Sequence, residues 1–329
     1  MNVYRIASYV KLSNNGMLKM TKKQKSWIVI FALLVAVAGA ELFCRFYLGL
    51  GDPPISIPDA EIDYIFAPNQ DCSRFGNTVI YNNLSMRCEL DLDIADKPSR
   101  VFVVGDSVIN GGVLTDQSDL ATTLLQKKRD PIGKDWQVCN VSAGSWGPGN
   151  YAAFFRRHRN HVRTNDVLIV EVNSHDLWED DPLLTAGRNV GRDIALPDRK
   201  PCCALWDGFH RYFLPRLRKW CGKAQVNTKV DIPKWQTDAG NESAKYNLTM
   251  LDEVFSLPCR RKALLIYRSR IETQKEIESV GERAFREWAE DKGLPIIKPV
   301  LNVESDYRDK IHPSVSGQRK IADAIEAWL

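Results

Sequence analysis

Val101-Phe102-Val103-Val104-Gly105-Asp106-Ser107 is the stretch that decides how this chain is read. Its four consecutive apolar residues predict a short buried strand, and Gly105 lets the chain turn sharply as it leaves. Ser107 is then placed at the carboxyl end of a strand, the edge at which open α/β sheets bind ligands. Further short apolar runs at 137–141, 167–172, 263–267 and 295–298 are separated by helical stretches. This alternation predicts an α/β fold, a doubly wound parallel five-stranded sheet with helices on both faces. Ile277, Val280, Ala284 and Trp288 recur at helical spacing with Gly293 as a stop, and read as core packing. A last helix is expected from about Ser316 to Leu329, with Ile321, Ile325 and Trp328 on one face and Ser314 or Ser316 as its cap.

The chain also carries Asp309-Lys310-Ile311-His312 near its end. A serine hydroxyl is a poor nucleophile at neutral pH. It needs an imidazole within hydrogen-bond reach and a carboxylate that fixes the tautomer of that imidazole. Asp309 and His312 are three residues apart, so one turn of backbone can carry base and orienter together, with Ser107 supplied by the strand. Taken singly, Gly-Asp-Ser is a common turn and Asp-x-x-His a common helix start. The combination of a strand before the one and a C-terminal helix after the other points to a serine hydrolase or acyl transferase.

Residues 101–112, Asn140-Val-Ser-Ala-Gly144, the segment ending in His175-Asp176, and Asp309-Lys-Ile-His312-Pro313 resemble, in order, the four sequence blocks of the SGNH/GDSL hydrolases. The resemblance covers about residues 98–329 and implies a flavodoxin-like SGNH hydrolase fold. It further implies that Ser107 is the nucleophile, His312 the general base and Asp309 its orienter. The oxyanion would be held by the amides of Ser107 and Gly144 and by a third donor. Laid without gaps, the Gly-x-Asn-Asp of the family falls on Asn173-Ser174-His175-Asp176, so His175 stands where asparagine is usual and Asn173 is the alternative donor. A neutral imidazole N–H can donate as an amide does. Thr164-Asn165-Asp166 imitates the motif but precedes its strand and belongs to the opposite end of the sheet. The family's members are esterases, lipases, carbohydrate deacetylases and O-acyltransferases.

The 329 residues carry a net charge of +4. Seven Lys or Arg against the single Glu41 fall in residues 1–50, which leaves the remainder near neutral and gives no reason to expect a nucleic-acid partner. Lys22, Lys23 and Lys25 precede the apolar run Trp27–Ala40, and continuing to Leu48 gives a span of about twenty-two residues, enough to cross a bilayer. Ala38-Gly39-Ala40 offers a cleavage site, but aromatic and basic residues continue beyond it as in an interfacial belt, favouring an uncleaved signal-anchor over 27–48. A basic cytoplasmic segment at 1–26 and an extracytoplasmic catalytic domain follow, with Met17 or Met20 as alternative starts. Of eight cysteines, Cys44 lies in the span, Cys139 reads as a small buried residue, Cys72 and Cys88 are candidates to bridge, and Cys202, Cys203, Cys221 and Cys259 cluster in an insertion. No Cys-x-x-Cys occurs, and neither a metal nor a cofactor is expected.

Residues 51–97 read as a small cap packed near the active site, with Arg74-Phe-Gly-Asn-Thr and Tyr81-Asn-Asn-Leu-Ser-Met-Arg87 as its notable stretches. Residues from about 177 to 258 read as an insertion whose Trp178, Trp206, Trp220 and Trp235 either stack on sugar rings or pack the insertion to the body. His158 and His161 read as a solvated basic face, and His210 as structural. The expected function is cleavage or transfer of an acyl ester, most plausibly acetyl, on a cell-surface or extracellular polysaccharide, with a catalytically silent scaffold that binds glycan or an envelope assembly as the alternative. A reporter active only outside the cytoplasm, fused at Leu329, should therefore work, and a tag placed before Lys22 should persist on the membrane-bound protein. A soluble mature chain beginning at Glu41 would establish cleavage instead.

Overall fold

A computed structural model describes residues 21–93, 99–132, 134–193, 196–220 and 242–329. The alternative starts Met17 and Met20, the first twenty residues of the basic segment, Cys221 and Trp235 lie outside them. The chain begins with α1 (Lys22–Leu42), capped by Thr21, whose side chain accepts from Gln24 N. Two antiparallel hairpins follow: β1 (Ser56–Asp59) with β2 (Asp63–Phe66), and β3 (Gln70–Arg74) with β4 (Asn77–Tyr81). The sequence reading anticipated a cap in this region but not its hairpins.

The main sheet is built from β5 (Ser99–Gly105), β6 (Trp136–Ser142), β7 (Val167–Asn173), β8 (Arg261–Tyr267) and β9 (Ile296–Ile297), all parallel and in the order β6-β5-β7-β8-β9. All five were legible as apolar runs. The alternation of side chains along each strand divides the interior into two clusters. Phe102, Val104, Leu168, Val170, Leu264 and Ile266 face one side, and Val101, Val103, Ile169, Ala263 and Leu265 face the other. Every residue of β7 is buried, as expected of a strand covered on both faces.

Helices α2 (Ser107–Asn110), α3 (Ala121–Arg129) and α4 (Pro148–His158) connect the first three strands. Between β7 and β8 come α5 (Pro182–Thr185), α6 (Ala204–Gly208), a π-helical turn at Phe209–Phe213, α7 (Leu214–Trp220) and α8 (Glu242–Phe255). The insertion is thus more helical than its sequence suggested. Helix α8 buries Ala244, Asn247, Leu251 and Val254 against α4, a periodicity obscured by the polar Asn247. After β8 come α9 (Arg270–Lys275), α10 (Val280–Asp291) and α11 (Val315–Trp328). Ile277 lies outside α10 and is exposed, so the expected four-residue stripe shrinks to Val280, Ala284 and Trp288. Gly293 adopts φ +64° just past this helix, the left-handed conformation that suits glycine as a stop. Ser314 caps α11 by accepting from Gly317 N.

Cys72 and Cys88, the candidates to bridge, are both unbonded and buried; Cys88 Sγ accepts from Asn140 N at 3.3 Å. His158 and His161 are partly buried rather than a solvated basic face. Burial, then the positive charge of His161 and Arg157, pulls the His158 imidazole down to about 4, so it is neutral at physiological pH.

The cap joins the body through polar groups as well as apolar ones. Arg87 has no exposed surface. Its guanidinium donates to Gln117 Oε1 at 2.9 Å, Gly112 O at 2.8 Å, Thr115 O at 3.1 Å, Asn110 O at 3.3 Å and Thr78 O at 3.4 Å, and sits over the Tyr81 ring. Truncation would orphan several buried acceptors at once. Arg87→Ala should lower stability by about 3 kcal/mol in denaturant unfolding, and Arg87→Lys, which cannot reproduce the planar fork, should recover little of it. A loss within experimental error would show that the cap is not held by this residue.

Candidate active site

The strand order places the site. From β5 the chain pairs β6 on one side and β7 on the other, so the order reverses at β5 and β7, and a crevice opens beyond their carboxyl ends. Ser107 follows β5 as the first residue of α2, and Asn173 ends β7. The turn between strand and helix is tight. A Cβ at position 105 would lie 2.6 Å from both Glu171 Oε2 and Ile109 Cγ1, so only glycine fits. Asp106 caps α2, its carboxylate accepting from Val108 N at 2.7 Å, and it also receives a long bond of 3.4 Å from Ser107 Oγ. As the first helical residue, Ser107 has an N–H without an intrahelical acceptor.

His312 Nε2 lies 3.0 Å from Ser107 Oγ, and its Nδ1 lies 2.8 Å from Asp309 Oδ2. Asp309 also accepts from the N–H groups of Ile311 and His312 at 3.0 and 2.9 Å. Desolvation opposes ionisation of Asp309, but these bonds and the imidazole outweigh it and hold the carboxyl below its ordinary range, so it is a fixed anion facing the ring. The loop itself is pinned. Tyr267 Oη donates to Ile311 O at 2.7 Å, Arg270 N to Lys310 O at 2.9 Å, and Arg308 N to His312 O at 2.9 Å. Buried Gln318, on α11, accepts from Ala121 N and donates to Val108 O, both at 2.9 Å, tying the helix behind His312 to the helix that carries Ser107.

Gly144 follows β6, and its N–H makes no hydrogen bond among the described residues, while its carbonyl accepts from Tyr64 Oη of the cap at 2.6 Å. The two sequence candidates for the third donor are placed differently. Asn173 is buried, with Nδ2 3.2 Å from Asp106 Oδ2 and 3.2 Å from Asp176 Oδ1. His175 is exposed, and its hydrogen bonds run through its backbone, from His175 N to Asn173 Oδ1 and from Trp178 N to His175 O. The ungapped alignment that put His175 in the site is therefore revised. The strand runs on to Asn173, which makes it the residue at the sheet edge, and Glu171 then takes the place of the motif's glycine. Asp166 lies at the start of β7, accepting from Arg100 N and Arg163 N, at the far end of the sheet from Ser107 as expected.

No family model matches the chain, and no curated protein does. Among solved structures it is similar to an α/β hydrolase from the metagenome of Lake Arreo, at 15% identity over 71% of this chain and 96% of that one with a TM-score of 0.40. A member of the lipolytic G-D-S-L family from Veillonella parvula is similar at 9% identity over 70% and 97%, with a TM-score of 0.40. An acetylxylan esterase from Geobacillus stearothermophilus is similar at 12% identity over 71% and 95%, also with a TM-score of 0.40. Similarity at this level leaves the chemistry to be read from the residues. The strand order β6-β5-β7-β8-β9, with Ser107 after the first strand of the sheet and His312 before the last helix, is the doubly wound parallel α/β arrangement expected from the sequence.

A group of buried carboxylates lies beneath the serine, a feature that sequence reasoning missed because Glu171 interrupts an otherwise apolar strand by a single letter. Glu171 Oε2 accepts from Asp106 N at 3.4 Å, and Glu171 Oε1 is buried without a partner. Burial, then the charges of Asp106 and Asp176, pushes Glu171 well above the ordinary carboxylate range, and burial with the charge of Asp106 does the same to Asp176. Burial raises Glu179 to about 7. Burial thus favours the neutral acid at Glu171. An acid with a raised folded pKa adds most stability below the unfolded carboxylate value of about 4.3, and that contribution is lost as pH rises toward the folded value. Glu171→Gln keeps the shape and removes this loss. Its melting temperature relative to the parent should climb steadily between pH 5 and pH 8; a difference that is flat or falls with pH would mean that Glu171 is ionised in the folded protein.

Proposed function

We propose that this chain is a serine ester hydrolase or O-acyltransferase that forms an acyl-enzyme on Ser107. The reading is carried by one observation, the hydrogen-bonded series Ser107–His312–Asp309 at 3.0 and 2.8 Å at the switch point of the sheet. Ser107 Oγ attacks the ester carbonyl while its proton passes to His312 Nε2, and Asp309 stabilises the imidazolium. The N–H groups of Ser107 and Gly144 and Asn173 Nδ2 stabilise the oxyanion. Both bonds of Asn173 Nδ2 are long at 3.2 Å, so one is readily exchanged for a developing charge. Collapse expels the alcohol, which takes the proton from His312. Water or a sugar hydroxyl, deprotonated by His312, then releases the acyl group.

The apolar helix Lys22–Tyr47, which takes in the expected span up to Tyr47, supports placing this chemistry at a membrane, and the positive-inside rule applied to Lys22, Lys23 and Lys25 supports an extracytoplasmic side. An acylated surface or extracellular polysaccharide is then the substrate class in reach. Trp206 does not support sugar stacking in the site, because it lies on α6 beside α1, and Trp178 is partly buried against the core.

Ser107→Ala and His312→Ala should each abolish hydrolysis of a short-chain aryl ester with the fold intact, and Asp309→Asn should cost less. Asn173→Ala should lower kcat by about 10²–10³ with little change in KM, and His175→Ala should be close to the parent. Retained activity in Ser107→Ala would overturn the reading. A folded parent inactive toward both aryl and sugar acetyl esters would favour the silent scaffold, and damage at His175 rather than Asn173 would restore the imidazole as donor.

A further inference from the structure

The α6–α7 region carries a surface that the proposed chemistry does not use. Trp206, Phe209, Phe213, Leu217 and Trp220 recur at steps of three and four residues and so form one stripe. They are 62%, 39%, 54%, 36% and 85% exposed. Trp206 stacks on Phe209, and Phe209 on Phe213, so the stripe is a continuous aromatic surface rather than scattered side chains. At about 1.5 Å per residue it is about 21 Å long. Exposed apolar stripes of this size mark an interaction surface.

The opposite face is already docked. Ala204 is buried, a Cβ at Gly208 would lie 2.6 Å from Leu50 Cδ1, and Tyr212 Oη accepts from Arg74 Nη2 at 2.7 Å while its ring meets Phe75 edge-on. These contacts set the orientation of the helix on the cap and leave the aromatic stripe outward.

The start of α6 is fixed to the apolar N-terminal helix. Glu41 accepts from Ala204 N at 3.0 Å and from Leu205 N at 2.8 Å, and Arg45, paired with Glu41, donates to Cys202 O at 2.9 Å. The candidate membrane span is Lys22–Tyr47, so Glu41 lies about 9 Å from its end. The stripe therefore begins where the span leaves the bilayer. Its composition suits that depth, with tryptophan at both ends, Arg211 and Arg216 along it, and Asp207 as the only acidic residue of 204–220.

We propose that residues 204–220 form an interfacial helix that lies on the lipid surface with Trp206, Phe209, Phe213, Leu217 and Trp220 inserted among the headgroups. The protein is then held to the bilayer at two places, and the cap is fixed in orientation over the membrane. This rests on Lys22–Tyr47 spanning the membrane, and the experiment separates the two. The full chain is reconstituted in phosphatidylethanolamine–phosphatidylglycerol vesicles that contain a phospholipid with a diazirine on its acyl chain near the headgroup, irradiated, and mapped by peptide mass spectrometry. Label is expected within both 27–47 and 204–220, with the latter at least about fivefold above the exposed apolar residues Ile132 and Val300, which lie outside both segments. Phe209→Asp with Phe213→Asp should reduce label in 204–220 to the level of those residues, leaving label in 27–47 and aryl-ester hydrolysis unchanged. Label confined to 27–47 in the parent would overturn the interfacial helix and keep the span, as would covering of the stripe by a protein partner or a second copy. Label in neither segment would overturn both, and undiminished label in the double variant would overturn insertion through the stripe.

Discussion

Everything in this structure that bears on chemistry depends on holding two side chains 3.0 Å apart, Ser107 Oγ and His312 Nε2, although 205 residues separate them in the chain. Backbone connectivity gives no help over that distance, so the geometry is a consequence of the sheet. Ser107 is fixed because β5 is central, paired on both sides and buried on both faces, and because Gly105 permits the turn that Glu171 and Ile109 crowd. His312 is fixed because its loop is bonded to β8 through Tyr267 and to α9 through Arg270. Gln318 then closes the frame by bonding to both α2 and α3 from α11.

The electrostatics of the site follow from the same crowding. In the proposed reaction, a charged carboxylate buried under Ser107 would raise the cost of forming an oxyanion above it. Desolvation, added to mutual repulsion with Asp106 and Asp176, keeps Glu171 neutral, so the negative charge near Ser107 stays small. Asp309 is treated in the opposite way, with two backbone donors and the imidazole holding it as an anion. One fold thus favours a neutral acid beneath Ser107 and a charged one behind His312, and the difference lies first in burial, complete for Glu171 and partial for Asp309, and then in the donors each receives.

The N-terminal elements connect the loops around Ser107 to the apolar N-terminal helix. Tyr64 reaches Gly144, Tyr81 reaches Asn110, and Arg87 reaches Asn110 and Gly112, so the cap touches the loops that surround Ser107. Arg74 of the same segment and Leu50 just before it receive the π-helical turn and α6. The orientation of the apolar N-terminal helix and the position of the loops around Ser107 are therefore set by a single small body.

The sequence by itself determined the five strands, the turn at Gly105, the final helix with its cap narrowed to Ser314 or Ser316, and the candidacy of Ser107, Asp309 and His312, because each depends on periodicity or on neighbours within a few residues. Contacts between distant segments decided the rest. Between His175 and Asn173 the letters left the third donor open; β7 pairs with β8 through Asn173, which buries that side chain at the sheet edge and leaves His175 exposed beyond it. Cys72 and Cys88 looked like partners by number and compartment, yet each is fixed in its own packing site. The tryptophans of the insertion resembled a sugar platform until the bonds of Glu41 and Arg45 placed α6 beside the apolar N-terminal helix. Glu171 shows the limit most plainly. In sequence it is a charged residue in a strand, and only burial beside Asp106 and Asp176 makes it a neutral one, since the free energy of a charge is a property of its surroundings.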